Sequence, residues 1–197
     1  MLQLRIDVKK TTKEIEQRLG NFKAEAPNVL VKSLNATARR MKKEMIPSAV
    51  QNRYNSPFRD IEIVKSTKMK NAKAGNLTAF LKAYSKSTAL TKFPYNLYDD
   101  GLLTARIVSG EEKTVYKKVW KKGKSKPFVV QFKSGHVAIV RRVTKERFPI
   151  KETVAIPKAY MMGNKDNYTM MRPEVMSELE KQITKQINKV LKKGGVV

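Results

Sequence analysis

The chain of 197 residues contains no cysteine, a single histidine and only nine glycines, and each shortage excludes a class of site. Without cysteine there is no disulfide framework, no thiolate nucleophile and no cysteine metal site. With His136 as the sole histidine, a zinc site of the usual Cys/His type is excluded as well. The glycines are scattered and form no G-x-x-x-x-G-K-[ST] loop, so no nucleotide site is predicted.

Catalytic constellations are equally sparse. A Ser-His-Asp arrangement would need His136, but the chain has no G-x-S-x-G nucleophile elbow. We interpret His136, which follows Gly135, as a turn residue or a strand cap. Asp99-Asp100-Gly101 could coordinate a cation but has the composition of a turn, and Glu111-Glu112 is interpreted as a surface pair. We therefore expect no enzymatic activity, no metal site and no cofactor.

Acidic residues and long apolar runs are also scarce. The chain has 42 Lys+Arg against 17 Asp+Glu, which leaves a net charge of +25. This excess favours a partner of negative potential, namely nucleic acid, an acidic protein ring or an anionic membrane, although a solvated lysine-rich surface explains it equally well. No run reaches the roughly 18 apolar residues that cross a bilayer, and the first residues lack a signal peptide's apolar core. We expect assembly in the cytosol and no membrane partner.

The residues that are present predict a single domain over residues 1–197, since 41% of them are hydrophobic and can form a core. Alternating apolar residues predict a strand over residues 2–8. Thr11 or Thr12 then predicts the start of a long helix over residues 12–46. Pro27 predicts a kink or break near Ala26, and Pro47 predicts the end of the helical region.

Apolar residues recur along this helix at steps of three and four, which is the pattern of a single apolar stripe. An unbroken helix over 12–46 would be about 50 Å long, whereas a compact domain of this size has a radius of gyration of about 16 Å. Such a helix would need apolar cover from elsewhere. We therefore interpret part of the stripe as a subunit interface: Leu30, Leu34, Met41 and Met45. The alternative is that the stripe packs within one subunit.

An antiparallel sheet is predicted over residues 61–143, because alternating apolar residues recur between turn signals. The predicted strands lie at 61–63, 77–83, 107, 113–120, 128–132 and 137–143. Residues 68–76 are predicted as a polar connection, 85–93 as an edge or loop, and 94–103 as an irregular loop. The last two strands form a hairpin around the tight loop 133–136.

Prolines recur in the apolar run that follows the hairpin, at Pro149 and Pro157. Since proline suits neither a central strand nor a helix interior, we predict an extended clamp over residues 144–167 that lies along another surface. The clamp supplies the second set of predicted interface residues: Phe148, Ile150, Ile156, Tyr160 and Met161. An amphipathic helix is predicted over 173–193, with Pro173 in its first turn and Gly194 after its end. Helices at the two ends of an antiparallel sheet define an α+β fold.

Basic residues concentrate in two clusters. The first borders the apolar stripe and the second lies at a predicted hairpin tip: Arg39, Arg40, Lys42 and Lys43; Lys121, Lys122, Lys124 and Lys126. Phosphate contacts from such residues would release counterions and depend on salt. No recognition helix stands out, and the aromatic residues show no stacking pattern for single strands. We predict that one of the clusters faces DNA or an acidic neighbour.

A series of short motifs runs through most of the chain. They are Leu34-Asn35-Ala36-Thr37-Ala38-Arg39-Arg40, Arg53-Tyr54-Asn55, Asn76-Leu77-Thr78-Ala79, Leu90-Thr91-Lys92-Phe93, Phe128 with Ser134-Gly135-His136-Val137 and Arg141-Arg142, Phe148-Pro149-Ile150, and Ile156-Pro157 through Met161. Their colinear order resembles the minor tail protein Z family of tailed bacteriophages, also described as tail completion or head–tail joining proteins. The chain departs from the family's pattern at residues 94–104 and in its lysine content.

The resemblance implies a structural virion protein of a phage or phage-like tail, assembled in the host cytoplasm. It implies a homo-oligomeric ring, a hexamer matching the sixfold tail tube, at the head-proximal end, where the ring completes the tail and joins it to the neck. The expected partners are further copies of the chain, the tail terminator or tail tube protein, neck or connector proteins, and genomic DNA in the lumen. It implies no cofactor and no catalysis. The alternative from charge alone is a sequence-nonspecific basic DNA-binding protein.

Overall fold

The computed structural model describes residues 8–116, 126–144 and 146–195. Helices and antiparallel sheets make up this part of the chain, so the fold class is α+β, as predicted. The α-helices are α1 (Val8–Leu19), α2 (Ala26–Arg40), α3 (Ile46–Arg53), α4 (Asp60–Lys65), α5 (Lys158–Met162) and α6 (Lys165–Lys193). Two 3₁₀ segments, Gly20–Glu25 and Leu90–Lys92, and a π-helical turn, Met41–Met45, accompany them. None of the described helices is long and apolar enough to cross a bilayer.

The strands of the described residues are short and pair in four small antiparallel sheets. They are β1 (Thr67–Lys70), β2 (Phe80–Ala83), β3 (Thr88–Ala89), β4 (Tyr95–Leu97), β5 (Leu103–Ala105), β6 (Lys113–Tyr116), β7 (Phe128–Gln131), β8 (Val137–Arg142), β9 (Ile150–Glu152) and β10 (Val154–Ala155). The pairings are β1-β2, β10-β3, β4-β5-β6 and β7-β8-β9. The strand predicted over residues 2–8 falls outside the described residues except for Val8, which lies in α1.

Internal contacts group the chain into two compact units. The helical unit comprises Met1–Ala49, Asp60–Tyr84 and Met162–Val197, and the sheet unit comprises Val50–Arg59 and Ser85–Met161. Whether the units together make the single domain expected from the sequence stays a prediction.

The core of the helical unit lies where α1, α2 and α6 pack together. Its largest buried side chains come from all three helices: Ile15, Leu19, Val29, Leu30, Leu34, Leu179, Ile183 and Ile187. Full burial of a leucine or isoleucine stabilises a fold by about 1.5–3 kcal/mol. The apolar stripe of the amino-terminal helix is thus covered by the carboxyl-terminal helix of the same chain, which is the packing that the sequence analysis held as its alternative.

The long amino-terminal helix is present but is divided differently from the prediction. α1 begins before Thr11 and Thr12, so neither threonine starts it. The break is the 3₁₀ segment, in which Phe22 has the non-helical dihedral angles φ −95° and ψ 19°. Pro27 lies in the first turn of α2, where a proline is tolerated because no backbone N–H is needed there.

Pro47 does not end the helical region, which continues to Arg53. The π-helical turn precedes it, and the Ile46 N–H bonds to the Met41 carbonyl five residues back. Such a local widening of the helix accommodates Pro47, because proline has no backbone N–H to donate to a carbonyl of the preceding turn.

Within the sheet predicted over 61–143, the strand predicted at Ile61–Ile63 is wrong, because these residues belong to α4. Two alternating apolar residues fit either element, and Asp60 and Glu62 in the first turn favour a helix amino terminus. The strand that pairs with β2 is β1, and all of it except Thr67 falls in the segment 68–76 that was predicted as a polar connection. β2 itself lies within the predicted strand 77–83.

In the sheet unit, the hairpin of β7 and β8 forms as the sequence indicates, with Val129 opposite Ile139. Gly135 takes φ +80° in its turn, a conformation that suits glycine. The single sheet predicted over 61–143 is instead divided into small sheets. Residues predicted as loops form β3 and β4, and Ile107 is not in a strand. Its carbonyl accepts a hydrogen bond from the Asn55 N–H at 3.0 Å.

The segment 144–167, predicted as an extended clamp, is only partly extended, and its contact with another surface stays a prediction. β9 and β10 are extended, but α5 follows and α6 begins at Lys165, not at Pro173. Asn164 caps α6, since its Oδ1 accepts a hydrogen bond from the Asp166 N–H at 2.8 Å. Pro173 lies inside the helix and removes one backbone hydrogen bond there. Gly194 follows the last helical residue as predicted.

Candidate functional site

Five of the predicted interface residues are buried within the chain: Leu30, Leu34, Met41, Met45 and Met161. Almost nothing of these side chains is exposed in one copy of the chain, and their predicted place in a subunit interface has no support from this burial. The stripe pattern shows that one face of a helix is apolar, but it does not show which element covers that face. Leu30 and Leu34 belong to the same core as Leu179 and Ile183 on α6.

The other predicted interface residues remain accessible in the sheet unit. The side chain of Phe148 is 61% exposed and that of Tyr160 is 58% exposed. Ile150 and Ile156 are partly buried. Their role in a subunit contact stays a prediction, and Phe148 has the most informative surroundings.

Phe148 lies in the connection between β8 and β9, where it is part of a cluster of arginines and apolar side chains. We define the Phe148 corner as Phe128, Arg142, Val143, Arg147 and Phe148. The connection is held to itself by backbone bonds, because the Val143 N–H donates to the Pro149 carbonyl at 3.0 Å. Phe148 and Val143 are exposed large hydrophobic side chains in this corner.

Each arginine of the Phe148 corner lies over an aromatic ring. The Arg142 Cζ is 5.7 Å from the centroid of the Phe128 ring, and the Arg147 Cζ is 5.7 Å from the centroid of the Phe148 ring. These distances are within cation–π range, which is worth about 0.5–1 kcal/mol at exposed sites. The corner therefore offers an exposed apolar area and fixed positive charge in one place. Aromatic residues and arginine are the side chains enriched at protein interfaces and at their hot spots.

The opposite end of the same sheet carries His136. Its ring stacks on Phe132 with centroids 5.8 Å apart, and its Nε2 lies 3.2 Å from the Glu152 Oε1. His136 directly precedes β8 after the hairpin turn, which agrees with its interpretation as a turn residue. Across the described residues, no three His, Cys, Asp or Glu side chains cluster closely enough to hold a metal ion.

The first basic cluster is only partly available to a partner. Arg39 and Lys43 are exposed and Lys42 is partly buried. Arg40 is engaged within the helical unit: it bonds to Glu178 on α6, and its Nε donates to the Glu44 Oε2 at 2.9 Å. These two carboxylates raise the pKa of Arg40, the Glu44 hydrogen bond being the largest cause. Arg40 is thus already paired with two carboxylates of the chain, and its predicted contact with DNA or an acidic partner stays a prediction.

The sequence analysis did not identify Glu178, whose carboxylate is buried and paired with Arg40. Its side chain is 5% exposed, on a helix whose neighbouring positions face the core. The Gln182 Nε2 donates to its Oε1 at 2.7 Å. This hydrogen bond first, and the pairing with Arg40 next, lower the pKa of Glu178, although burial acts in the opposite direction. No local motif signals such a pair, because its two members are 138 positions apart.

A second carboxylate that the sequence analysis treated as a surface group has a structural role. Glu112 accepts hydrogen bonds from the Thr104 hydroxyl on β5 and from the Asn96 Nδ2 on β4. The Thr104 bond is the main cause that lowers the pKa of Glu112, followed by the Asn96 bond. Glu112 therefore ties the strands of its small sheet together. Asp100 behaves as predicted for a turn, since its Oδ1 accepts from the Leu102 N–H at 2.9 Å.

The second basic cluster lies mostly outside the described residues. Lys121, Lys122 and Lys124 fall there, and the predicted role of this tip stays a prediction. Lys126 is exposed, and its Nζ donates to the Asp99 carbonyl at 2.8 Å.

Comparison with known proteins found no matching protein family, no matching curated protein and no matching solved structure. Proposals on function rest on the motifs and surfaces of the chain itself.

Proposed function

We propose that this chain is a structural protein of a phage or phage-like tail, which forms a ring at the head-proximal end, completes the tail and joins it to the neck. The colinear motifs support the tail assignment. The observation that carries an assembly role is the exposure of Phe148 and Val143 at a corner that also carries arginine. Burying apolar surface is favourable by about 25 cal/mol per Å². A neighbouring protein that covered Phe148 and Val143 would gain this free energy.

The charge of the corner constrains how copies could meet. The stretch 141–152, which contains most of the corner, carries five basic residues against Glu146 and Glu152: Arg141, Arg142, Lys145, Arg147 and Lys151. Two corners facing each other would bring like charges together, which is unfavourable. In a ring the contacts are heterologous, so that one surface of a subunit meets a different surface of the next. We therefore assign the corner to a contact with a different, less basic surface, either on the next copy or on an adjoining tail or neck protein.

The test combines the purified protein with its own tail tubes. Sedimentation and negative-stain electron microscopy should show rings or tube-end binding. We expect Phe148→Ala to weaken that association about tenfold or more, the range of an interface hot spot. A matched control is Tyr84→Ala, because Tyr84 is 59% exposed and also lies under a cation, with the Lys68 Nζ 5.9 Å from its ring centroid.

Both variants should unfold like the parent, because exposed side chains contribute little to stability. A protein that stays monomeric and does not bind tail tubes would refute the proposed function. Equal association by the two variants would refute the role of Phe148 alone.

Sequence-nonspecific DNA binding is the second candidate, and the exposed side chains of Arg39 and Lys43 in a chain of charge +25 favour it. Six to ten phosphate contacts would reduce affinity about 10³-fold or more between about 50 and 200 mM salt. Arg39→Gln/Lys43→Gln should lower both the affinity and the salt dependence. Binding to duplex DNA that is weak at low salt, or insensitive to salt, would exclude this candidate.

A further inference from the structure

A basic groove of about 550 Å³ lies within the helical unit, between the beginning of α2 and the end of α6. Four lysines line it, one from α2 and three from α6, together with two amides and a carboxylate: Lys32, Lys189, Lys192, Lys193, Asn28, Gln186 and Glu25. Its volume is in the range of sites that hold small ligands, about 300–1,000 Å³.

Helical spacing explains why these side chains share the groove. Asn28 and Lys32 are four residues apart on α2, and Lys189 and Lys193 are four residues apart on α6. Residues at this spacing lie on the same face of a helix, about 6 Å apart along its axis. Two packed helices each direct a polar face toward the groove, while Val29 beneath is buried in the core.

The charges in the groove are unbalanced. All four lysines are exposed, and none forms an ion pair with another described residue. The lining carboxylate, Glu25, accepts a hydrogen bond from the Asn28 Nδ2 at 3.1 Å. Lys192 and Lys193 offset the negative end of the α6 dipole. That role does not account for Lys32, which comes from the other helix.

We infer that this groove binds a ligand that carries phosphate groups. Lysine binds phosphate as a point charge, and ammonium groups converging from two helices can neutralise a multiply charged anion and relieve their own repulsion. The phosphates could belong to a nucleic-acid strand or to a free polyphosphate, and the chemistry at the groove is the same. The inference is independent of the proposed assembly role, since the Phe148 corner takes no part in it.

The test measures binding of two probes to the full chain: inorganic triphosphate by calorimetry, and a short single-stranded DNA by fluorescence anisotropy across a salt series. The groove variant is Lys32→Gln/Lys189→Gln. The control is Lys65→Gln/Lys165→Gln, which removes the same two charges at exposed positions of α4 and α6 that do not line the groove. Thermal unfolding shows whether each variant is folded, and Lys192→Gln/Lys193→Gln replaces the groove variant if it is not.

We expect the groove variant to lose about tenfold or more affinity for at least one probe, and the control to stay within about twofold. For DNA, the salt slope should fall by about 0.7 for each lysine removed. Loss with DNA alone assigns the groove to a nucleic-acid strand, and loss with triphosphate assigns it to a free polyphosphate. Equal effects of the groove and control variants on both probes, or binding of neither probe by the parent, would overturn the inference.

Discussion

Arg40 on α2 donates a hydrogen bond from Nη1 to the buried carboxylate of Glu178 on α6, and this pair joins the two longest helices among the described residues. The same guanidinium bonds to Glu44 one turn further along the amino-terminal helix. A buried carboxylate is costly unless it is paired and hydrogen-bonded. In a protein with a large excess of basic residues, Arg40 therefore has a specific structural role as the countercharge of Glu178.

Replacing Arg40 should destabilise the helical unit. In Arg40→Met the buried Glu178 keeps its hydrogen bond from Gln182 but loses its countercharge, and an uncompensated buried charge lowers the free energy of unfolding. Arg39→Met is the matched control, because it makes the same change at the neighbouring exposed position. Urea denaturation should give a lower midpoint for Arg40→Met than for Arg39→Met. Coinciding denaturation curves would contradict the role of the pair.

Glu178 should also contribute to acid sensitivity. The hydrogen bond from Gln182 and the pairing with Arg40 hold the pKa of Glu178 below its ordinary value of 4.5 in the folded protein. With the folded pKa below the unfolded one, the stabilisation is fully present above pH 4.5 and is lost as the pH falls through the folded pKa. Glu178→Gln should therefore reduce the loss of unfolding free energy below that pH.

This pH dependence is measured by urea denaturation at neutral pH and at several acidic pH values. Glu44→Gln serves as the control, because Glu44 also pairs with Arg40 but is exposed. If Glu178→Gln loses stability on acidification as steeply as the parent does, the carboxylate of Glu178 is not the group responsible.

Leu30 distinguishes a core residue from a subunit contact. Its side chain is 0% exposed among residues of α1, α2 and α6. Leu30→Ala should lower the free energy of unfolding by about 2–5 kcal/mol, since the cavity adds to the lost transfer energy. Met170→Ala, at a side chain that is 69% exposed, should change it by no more than about 0.5 kcal/mol. A stable Leu30→Ala protein that is defective only in assembly would restore the interface interpretation.

Asn35 should anchor the segment between β1 and β2 to α2. Its Nδ2 donates to the Ala72 carbonyl at 3.1 Å, and its Oδ1 accepts from the Ala72 N–H at 2.8 Å. Asn35→Ala removes both bonds and should cost about 1–3 kcal/mol. Amide hydrogen exchange should accelerate at Ala72, whereas Asn188→Ala at an exposed position of α6 should leave it unchanged. Unaltered protection of Ala72 in Asn35→Ala would show that the segment is held by other contacts.

The sequence-based predictions were correct where a structure depends on residues that are close together in the chain. The hairpin of β7 and β8 depends on alternating apolar residues and on a glycine in its turn, which are neighbours in the chain. The Asp100 turn and the end of α6 at Gly194 are equally local. The helix of Asp60–Lys65 differs from the predicted strand because two alternating isoleucines fit either type of element, whereas Asp60 and Glu62 in the first turn favour a helix.

The candidate sites show the same division. Phe148 was identified from sequence because an apolar residue beside a proline stood out, but its pairing with Arg147 was found only in the structure. The groove could not be predicted from the sequence, because Lys32 and Lys189 are far apart in the chain and meet only where α2 and α6 pack together.

By itself the sequence determined the fold class, the hairpin, the apolar stripe and the charge excess, because composition and short periodic patterns act through nearest neighbours. Only the tertiary structure decided what covers the stripe. Leu30 and Leu34 are buried against α6. Arg40 forms an ion pair with Glu178, which is 138 positions away in the sequence. A stripe specifies that a helix face must leave water, but the choice between the chain's own helix and another subunit depends on shape and contacts that no local pattern encodes.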